Sequence, residues 1–107
     1  MRRKMKPRRG EVWRVDFGIV VKVRPALVLS TEIDEKDRVV VGVVPHTTSV
    51  RGSRFEAAVS APFLESGAFG VQGLAGAHPR QFLQKLGELK SDQMRTVENV
   101  VRLWLGL

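Results

Sequence analysis

Residues 39–44 read VVVGVV, a continuous apolar run rich in β-branched side chains and closed by Pro45. β-branched residues favour extended backbone. The run does not alternate, so neither of its faces is set aside for water. It therefore predicts a strand covered on both sides. A chain of 107 residues that covers a strand twice has room for one domain.

The remaining segments supply the cover. Residues 11–17 (EVWRVDF) alternate except at Trp13 and predict a strand. Pro25 lacks a backbone donor and suits the start of a second strand over residues 26–30. The connector at residues 18–23 and the polar stretch at residues 31–37 read as turns, and residues 55–59 as a short strand. Gly67, Gly70, Gly73 and Gly76 recur at every third position. Too little proline accompanies them for collagen, so they predict a kinked or bulged strand where something approaches closely.

Pro79 is placed to open a short helical turn containing Phe82 and Leu83, interrupted at Leu86-Gly87. The last segment predicts a helix. Ser91 is its expected cap, Asp92 sits in its first turn, and Gly106 ends it. Met94, Val97, Val101 and Trp104 fall on one face, and Glu98 and Arg102 stand at i, i+4 spacing. Five strand candidates and one terminal helix predict a compact barrel or curled sheet with the helix packed on it.

The formal net charge of +7 is concentrated: six of the eighteen cationic residues are Arg2, Arg3, Lys4, Lys6, Arg8 and Arg9. Residues 1–9 therefore read as a basic, flexible tail and residues 10–107 as the domain. Such a tail attracts polyanions without selectivity, or serves only as a solubilising leader. The chain has no cysteine, which excludes a disulfide framework, a thiol nucleophile and a zinc knuckle. No apolar run reaches the length of a membrane span, and no signal-peptide pattern follows the basic start. The expected location is the cytoplasm, with no membrane partner.

Chemistry has few places to reside. His46 and His78 are the only histidines. Asp34, Glu35 and Asp37 cluster in what reads as a solvated turn, and no metal site is expected. Neither a P-loop nor a G-x-S-x-G elbow is present. What remains is Arg24 before Pro25, and Thr47, Thr48 and Ser49 after Pro45, both at strand boundaries. Arg24 reads equally as an exposed cation, and the hydroxyl residues as turn residues bonding their own backbone.

A resemblance bears on that choice. Residues 10–13 (GEVW), 24–30 (RPALVLS), 43–48 (VVPHTT), 54–56 (RFE), 85–89 (KLGEL) and 101–107 (VRLWLGL) resemble, in order, the blocks of the MazF/PemK (Kid) family of toxin endoribonucleases. The resemblance implies a mainly β fold with α: an SH3-like small barrel of about five strands with a C-terminal helix packed on it. It also implies a homodimer, a cognate antitoxin, and sequence-selective, metal-independent and cofactor-free cleavage of single-stranded mRNA.

The family's catalytic pair falls on Arg24 and Thr47. Thr48, Ser49, Arg51, Glu11, Trp13 and Gln72 fall in substrate-binding positions, although Trp13 reads equally as a core residue. Gly70 and Gly73 stand where the family usually carries Asp and Asn, and the connector before Arg24 is short. His46 has the pKa of a general base, but strand geometry would turn it away from Thr47, which favours a structural or antitoxin-facing role. Two other classes share some of these features: a barrel-fold toxin acting on a protein such as gyrase, and a non-catalytic RNA-binding module.

Overall fold

The structure is a computed structural model that describes residues 6–107, so Arg2, Arg3 and Lys4 of the basic leader lie outside the described residues. Along the chain it runs β1 (Glu11–Asp16), α1 (Gly18–Val21), β2 (Val23–Val28), β3 (Val41–Thr47), β4 (Glu56–Ala57) and β5 (Ala68–Gly70). A 3-10 turn (Val71–Gly73), β6 (Ala75–Ala77), a second 3-10 turn (Pro79–Gln81), β7 (Phe82–Glu88) and α2 (Ser91–Leu105) follow. The strands pair antiparallel in the order β4-β5-β3-β2-β1-β7, with β6 also on β3. The sheet is curled and open, a small barrel-like fold with a C-terminal helix. Among the described residues it has seven strands rather than about five, because the glycine-rich segment divides into β5 and β6 around a 3-10 turn and residues from Phe82 form β7.

Both faces of the sheet are covered, as the VVVGVV run requires. Val12, Leu27, Val44, Phe69 and Val71 pack with Val97 and Val101 of α2 on one side. Trp13, Val15, Ala26, Val28, Val41 and Val43 pack with Ala77 and Phe82 inside the curl on the other. Successive strand residues point to opposite faces, so β3 sends Val43 into one core and Val44 into the other. Trp13 likewise does not break the pattern of β1: it is a buried residue of the second face.

β3 starts later and ends later than expected. Val39 and Val40 are exposed, and the strand runs through Pro45 to Thr47. Pro45 is tolerated because the neighbour on that edge changes there. β6 pairs with Val41, Gly42 and Val43, β5 pairs with His46 and Thr47, and Pro45 falls in the gap, where its missing donor breaks no ladder. Leu86-Gly87 does not interrupt β7 either. A Cβ on Gly87 would lie 2.4 Å from carbons of the Phe63 ring, so glycine is there to admit that ring.

The ends of the helical turns also differ from expectation. The turn at Pro79 closes at Gln81, whose Oε1 accepts the His78 N–H (2.8 Å) while His78 Nδ1 accepts the Arg80 N–H (3.1 Å). Phe82 already belongs to β7. Lys90, not Ser91, holds the cap position of α2, and its N–H donates to Gln93 Oε1 at 2.9 Å. The amide of Gln93 in turn donates to the Ser60 carbonyl, fixing the helix start to the loop before it. Met94 and Trp104 pack against the core beside buried Val97 and Val101, and Gly106 ends the helix at φ 73°. Glu98 does not pair with Arg102. It pairs with Arg9, whose guanidinium also donates to the Leu29 carbonyl.

Candidate functional site

The site is built at the start of β2 and the end of β3. Their ladder aligns Val28 with Val43, Leu27 with Val44 and Ala26 with Pro45. The ladder ends there, and Arg24 and Thr47 each lie two residues beyond it, near the adjacent ends of the two strands. Residues opposite each other in an antiparallel pair share a face. Arg24 pairs with Val15 across β1, which places it on the face carrying Trp13 and Val28.

The β1–β2 hairpin aims the arginine. What sequence reading left as a plain connector is one helical turn, Gly18–Val21. Asp16 Oδ1 accepts the Gly18 N–H, the Lys22 N–H donates to the Gly18 carbonyl, and the Phe17 N–H donates to the Lys22 carbonyl. Reversal in so few residues needs positive φ at Gly18 (94°) and also at Lys22 (68°). With ψ at −157°, Lys22 occupies a region that side-chain-bearing residues rarely enter. The Val21 carbonyl then accepts the Arg24 Nε–H at 3.2 Å. Arg24 is exposed, and among the described residues no carboxylate lies within ion-pair distance of it. Its terminal nitrogens are therefore available to an anion.

Thr47 is half-buried at the last position of β3. Its Oγ1 accepts the Ser49 N–H at 3.0 Å, which orients the oxygen and leaves the hydroxyl proton free to donate. Gly67 lies directly beside it: a Cβ there would be 2.1 Å from the Thr47 carbonyl oxygen. A planar fork of donors and a neutral hydroxyl at one rim are complementary to phosphate oxygens.

His46 projects to the face opposite Thr47, because the extended strand persists through both residues. It is 3 % exposed and packs edge-on against Phe69 with ring centroids 5.2 Å apart. Its Nε2 has no hydrogen-bond partner. Burial holds its pKa below the ordinary imidazole value, against a smaller upward pull from Glu65. His46 lines a cleft of about 240 Å³ with Arg24 and Thr48 and the apolar Val23, Pro25, Phe63 and Leu64, completed by Glu65. Sequence reading missed residues 63–65, treating the segment only as a break after Pro62; the one local signal was the Phe63-Leu64 pair set between Pro62 and Gly67.

The other predicted site residues are dispersed. Thr48 joins Arg24 at the cleft, and Ser49 stands exposed beside it in sequence. Arg51 is exposed in a loop held by the Glu56 carboxylate, which accepts the N–H groups of Arg51 and Ser53. Gln72 is exposed on the first 3-10 turn and does not line the cleft. Glu11 and Trp13 are buried and bonded to each other, indole Nε1 to Oε1 at 2.9 Å. Burial pushes the Glu11 carboxyl up, but the Arg8 N–H, the Trp13 indole and the Lys85 ammonium outweigh it and hold it below the usual range. Among the described residues, no three His, Asp or Glu side chains converge as metal ligands, and no helix is long and apolar enough to cross a membrane.

An open, curled antiparallel sheet with a terminal helix packed on one face defines a small barrel-like fold class. The sequence profile of the PemK-like, MazF-like toxins of type II toxin-antitoxin systems matches residues 8–105, and the chain belongs to that family. Its fold is similar to that of a mycobacterial endoribonuclease solved in complex with its cognate antitoxin. That match has a TM-score of 0.81 at 24% identity and covers 94% of this chain and 96% of that one. MazF from Deinococcus radiodurans matches with a TM-score of 0.81 at 23% identity, over 97% of this chain and 100% of that one. The Mycobacterium tuberculosis toxin MazF-mt6 matches with a TM-score of 0.76 at 22% identity, over 91% and 97%. At such identities the likeness is one of fold.

Proposed function

We infer that this chain is the toxin of a type II toxin-antitoxin pair and acts in the cytoplasm as an endoribonuclease on single-stranded mRNA, at selected sequences. The observation that carries the reading is that Arg24 and Thr47 stand near the adjacent ends of the paired strands β2 and β3. Membership of the toxin family supports it, as does fold similarity to proteins described as endoribonucleases.

The reaction is transesterification. The 2′-hydroxyl oxygen attacks the neighbouring phosphorus and the bond to the 5′-oxygen breaks, leaving a 2′,3′-cyclic phosphate and a 5′-hydroxyl end. Such a step needs the phosphate held in line and its growing negative charge stabilised. Arg24 supplies that stabilisation through its planar fork of donors. Thr47 adds a neutral donor. Thr48 lines the cleft beside Arg24, and Glu11 and Trp13 are buried partners within β1. The reaction runs on groups of the chain itself, without metal or cofactor.

The partners are a cognate antitoxin and a second copy of the chain. Ile19 and Val20 at the hairpin tip and Leu103, Leu105 and Leu107 at the helix end are exposed apolar surface available to them.

The test is incubation with a long single-stranded RNA in the presence of EDTA, followed by mapping of the new ends. Discrete cuts bearing 2′,3′-cyclic phosphates are expected. Cleavage only on addition of Mg²⁺, or 3′-hydroxyl products, would count against the assigned chemistry.

A further inference from the structure

Cations of the leader and of α2 come together on a part of the molecule that the reaction at Arg24 does not use. From Arg8 onward the leader is held in place. The Arg8 N–H donates to Glu11 Oε1 at 2.8 Å, the Glu11 N–H to the Arg8 carbonyl at 3.0 Å, and the Gly10 N–H to the Val28 carbonyl at 2.9 Å. The Arg9 guanidinium reaches α2 and ion-pairs with Glu98. Glu98 stands three residues after Arg95 and four before Arg102, so the three share one helix face. The ion pair therefore brings the leader alongside that face and neutralises its central acid. Lys6, Arg8, Arg95 and Arg102 are exposed, and among the described residues no carboxylate lies within ion-pair distance of them. Asp92 in the first turn is the one other acid of α2.

This surface is remote from the candidate catalytic rim. The leader joins the sheet at Val28, the last residue of β2, and Arg24 lies near its start. Four residues of strand separate them, about 13 Å. The faces differ as well. α2 packs over Val12 and Leu27, whereas Arg24 belongs to the face of Trp13 and Val28.

We propose that the anchored leader and the Arg95–Arg102 face of α2 form a second RNA-binding surface, which holds the backbone of the substrate strand away from the cut. The proposal rests on the ribonuclease reading above for the identity of that strand. Spacing favours a polymer over a single anion: Arg95 and Arg102 lie seven residues apart on a helix, about 10 Å, so one phosphate cannot meet both. Guanidinium forks suit phosphate oxygens. The cations that form the surface carry no ring on which a base could stack, so it grips backbone without reading sequence. The RNA strand itself links the two sites, and binding at one raises the effective concentration at the other. Selectivity then belongs to the rim, and affinity for long RNA to the second surface.

The test compares RNAs of about five and about twenty nucleotides around one cut site, the short one filling only a single site. Both carry 2′-deoxyribose at the cut for binding, and ribose for cleavage. Wild-type protein should bind the long RNA at least about tenfold more tightly at low salt. Arg95→Ala/Arg102→Ala, with an unchanged melting temperature, should remove most of that advantage and lower the salt slope for the long RNA by about 1.4 log–log units. Its affinity for the short RNA and its rate on it should match wild type. Arg95→Lys/Arg102→Lys should keep most of the long-RNA advantage, because the charge is retained.

No length advantage in the wild type, or an unchanged long-RNA affinity and slope in the alanine variant, overturns the proposal. So does an equal loss on both RNAs. Loss of poly-glutamate binding without loss of RNA binding would assign the face to an acidic protein segment instead, and would also overturn it. A length advantage that depends on Arg95 and Arg102, with ribose RNA left uncut, would support the surface and sink the ribonuclease reading. Efficient cutting with no such dependence would do the reverse.

Discussion

The carbonyl of Val21 accepts a hydrogen bond from Nε of Arg24 at 3.2 Å, so the arginine is aimed by the hairpin turn that precedes it. That turn keeps Lys22 at φ 68° and ψ −157°, a conformation costing about 1–3 kcal/mol for a residue with a side chain. Lys22→Gly removes the strain and adds unfolded-state entropy of ~0.4–1 kcal/mol. The variant should melt higher but cleave more slowly, because the turn that orients Arg24 loosens. Thermal denaturation and initial rates check both halves; a lower melting temperature would show that Lys22 is unstrained.

The glycine repeat divides by what lies beside each position. A Cβ on Gly67 would meet the Thr47 carbonyl oxygen at 2.1 Å, whereas the nearest atom to one on Gly70 is 4.0 Å away. Backbone cannot yield as a flexible side chain does, so Gly67→Ala should cost about 1–3 kcal/mol or more. Gly70→Ala should stay near neutral. Urea denaturation of the two variants compares them directly, and equal effects would contradict the close approach.

Burial of His46 has a pH signature. Its folded pKa is depressed below 6.5, so below that value the unfolded chain binds a proton that the folded chain does not. Stability therefore rises with pH across this window and falls as pH drops through it. Wild-type protein should lose more stability between pH 7.5 and 5.5 than His46→Leu, measured by urea midpoints. Parallel profiles would place His46 in contact with water.

Arg9 bridges Glu98 of α2 and the carbonyl of Leu29, so this part of the basic leader is bound to the domain. Arg9→Ala should lower stability by about 1 kcal/mol, a hydrogen bond together with a surface ion pair. Deleting residues 1–5 removes Arg2, Arg3 and Lys4 and should flatten the salt dependence of RNA binding by up to about two log–log units. Binding titrations across a salt series read that slope, and an unchanged slope would remove the leader from the RNA interface.

Local pattern was enough to read some of this fold. The unalternating valines announced a strand between two cores, and Met94, Val97, Val101 and Trp104 announced the packed face of α2. Long-range partners decided the rest. Pro45 reads as a strand end until β5 and β6 are seen to leave it a gap. Gly87 reads as a break until Phe63 is seen above it, and Glu98 finds Arg9 rather than the nearer Arg102. Within the site, Arg24 and Thr47 could be named from family blocks, but their shared rim depends on a register between strands. The His46 cleft depends on residues 63–65 folding back over β2 and β3, which no local period encodes.

The central claim is that Arg24 acts on the transition state at a phosphate shared with Thr47. Its most direct test is single-turnover cleavage and equilibrium binding of one RNA by wild-type protein, Arg24→Ala, Arg24→Lys and Thr47→Ala. Arg24→Ala should slow cleavage by roughly a hundredfold to a thousandfold while weakening binding far less. Arg24→Lys should stay impaired, because an ammonium lacks the planar fork, and Thr47→Ala should also be slow. Equal losses of rate and affinity would reduce Arg24 to a phosphate anchor, and unimpaired cleavage by both alanine variants would contradict the account.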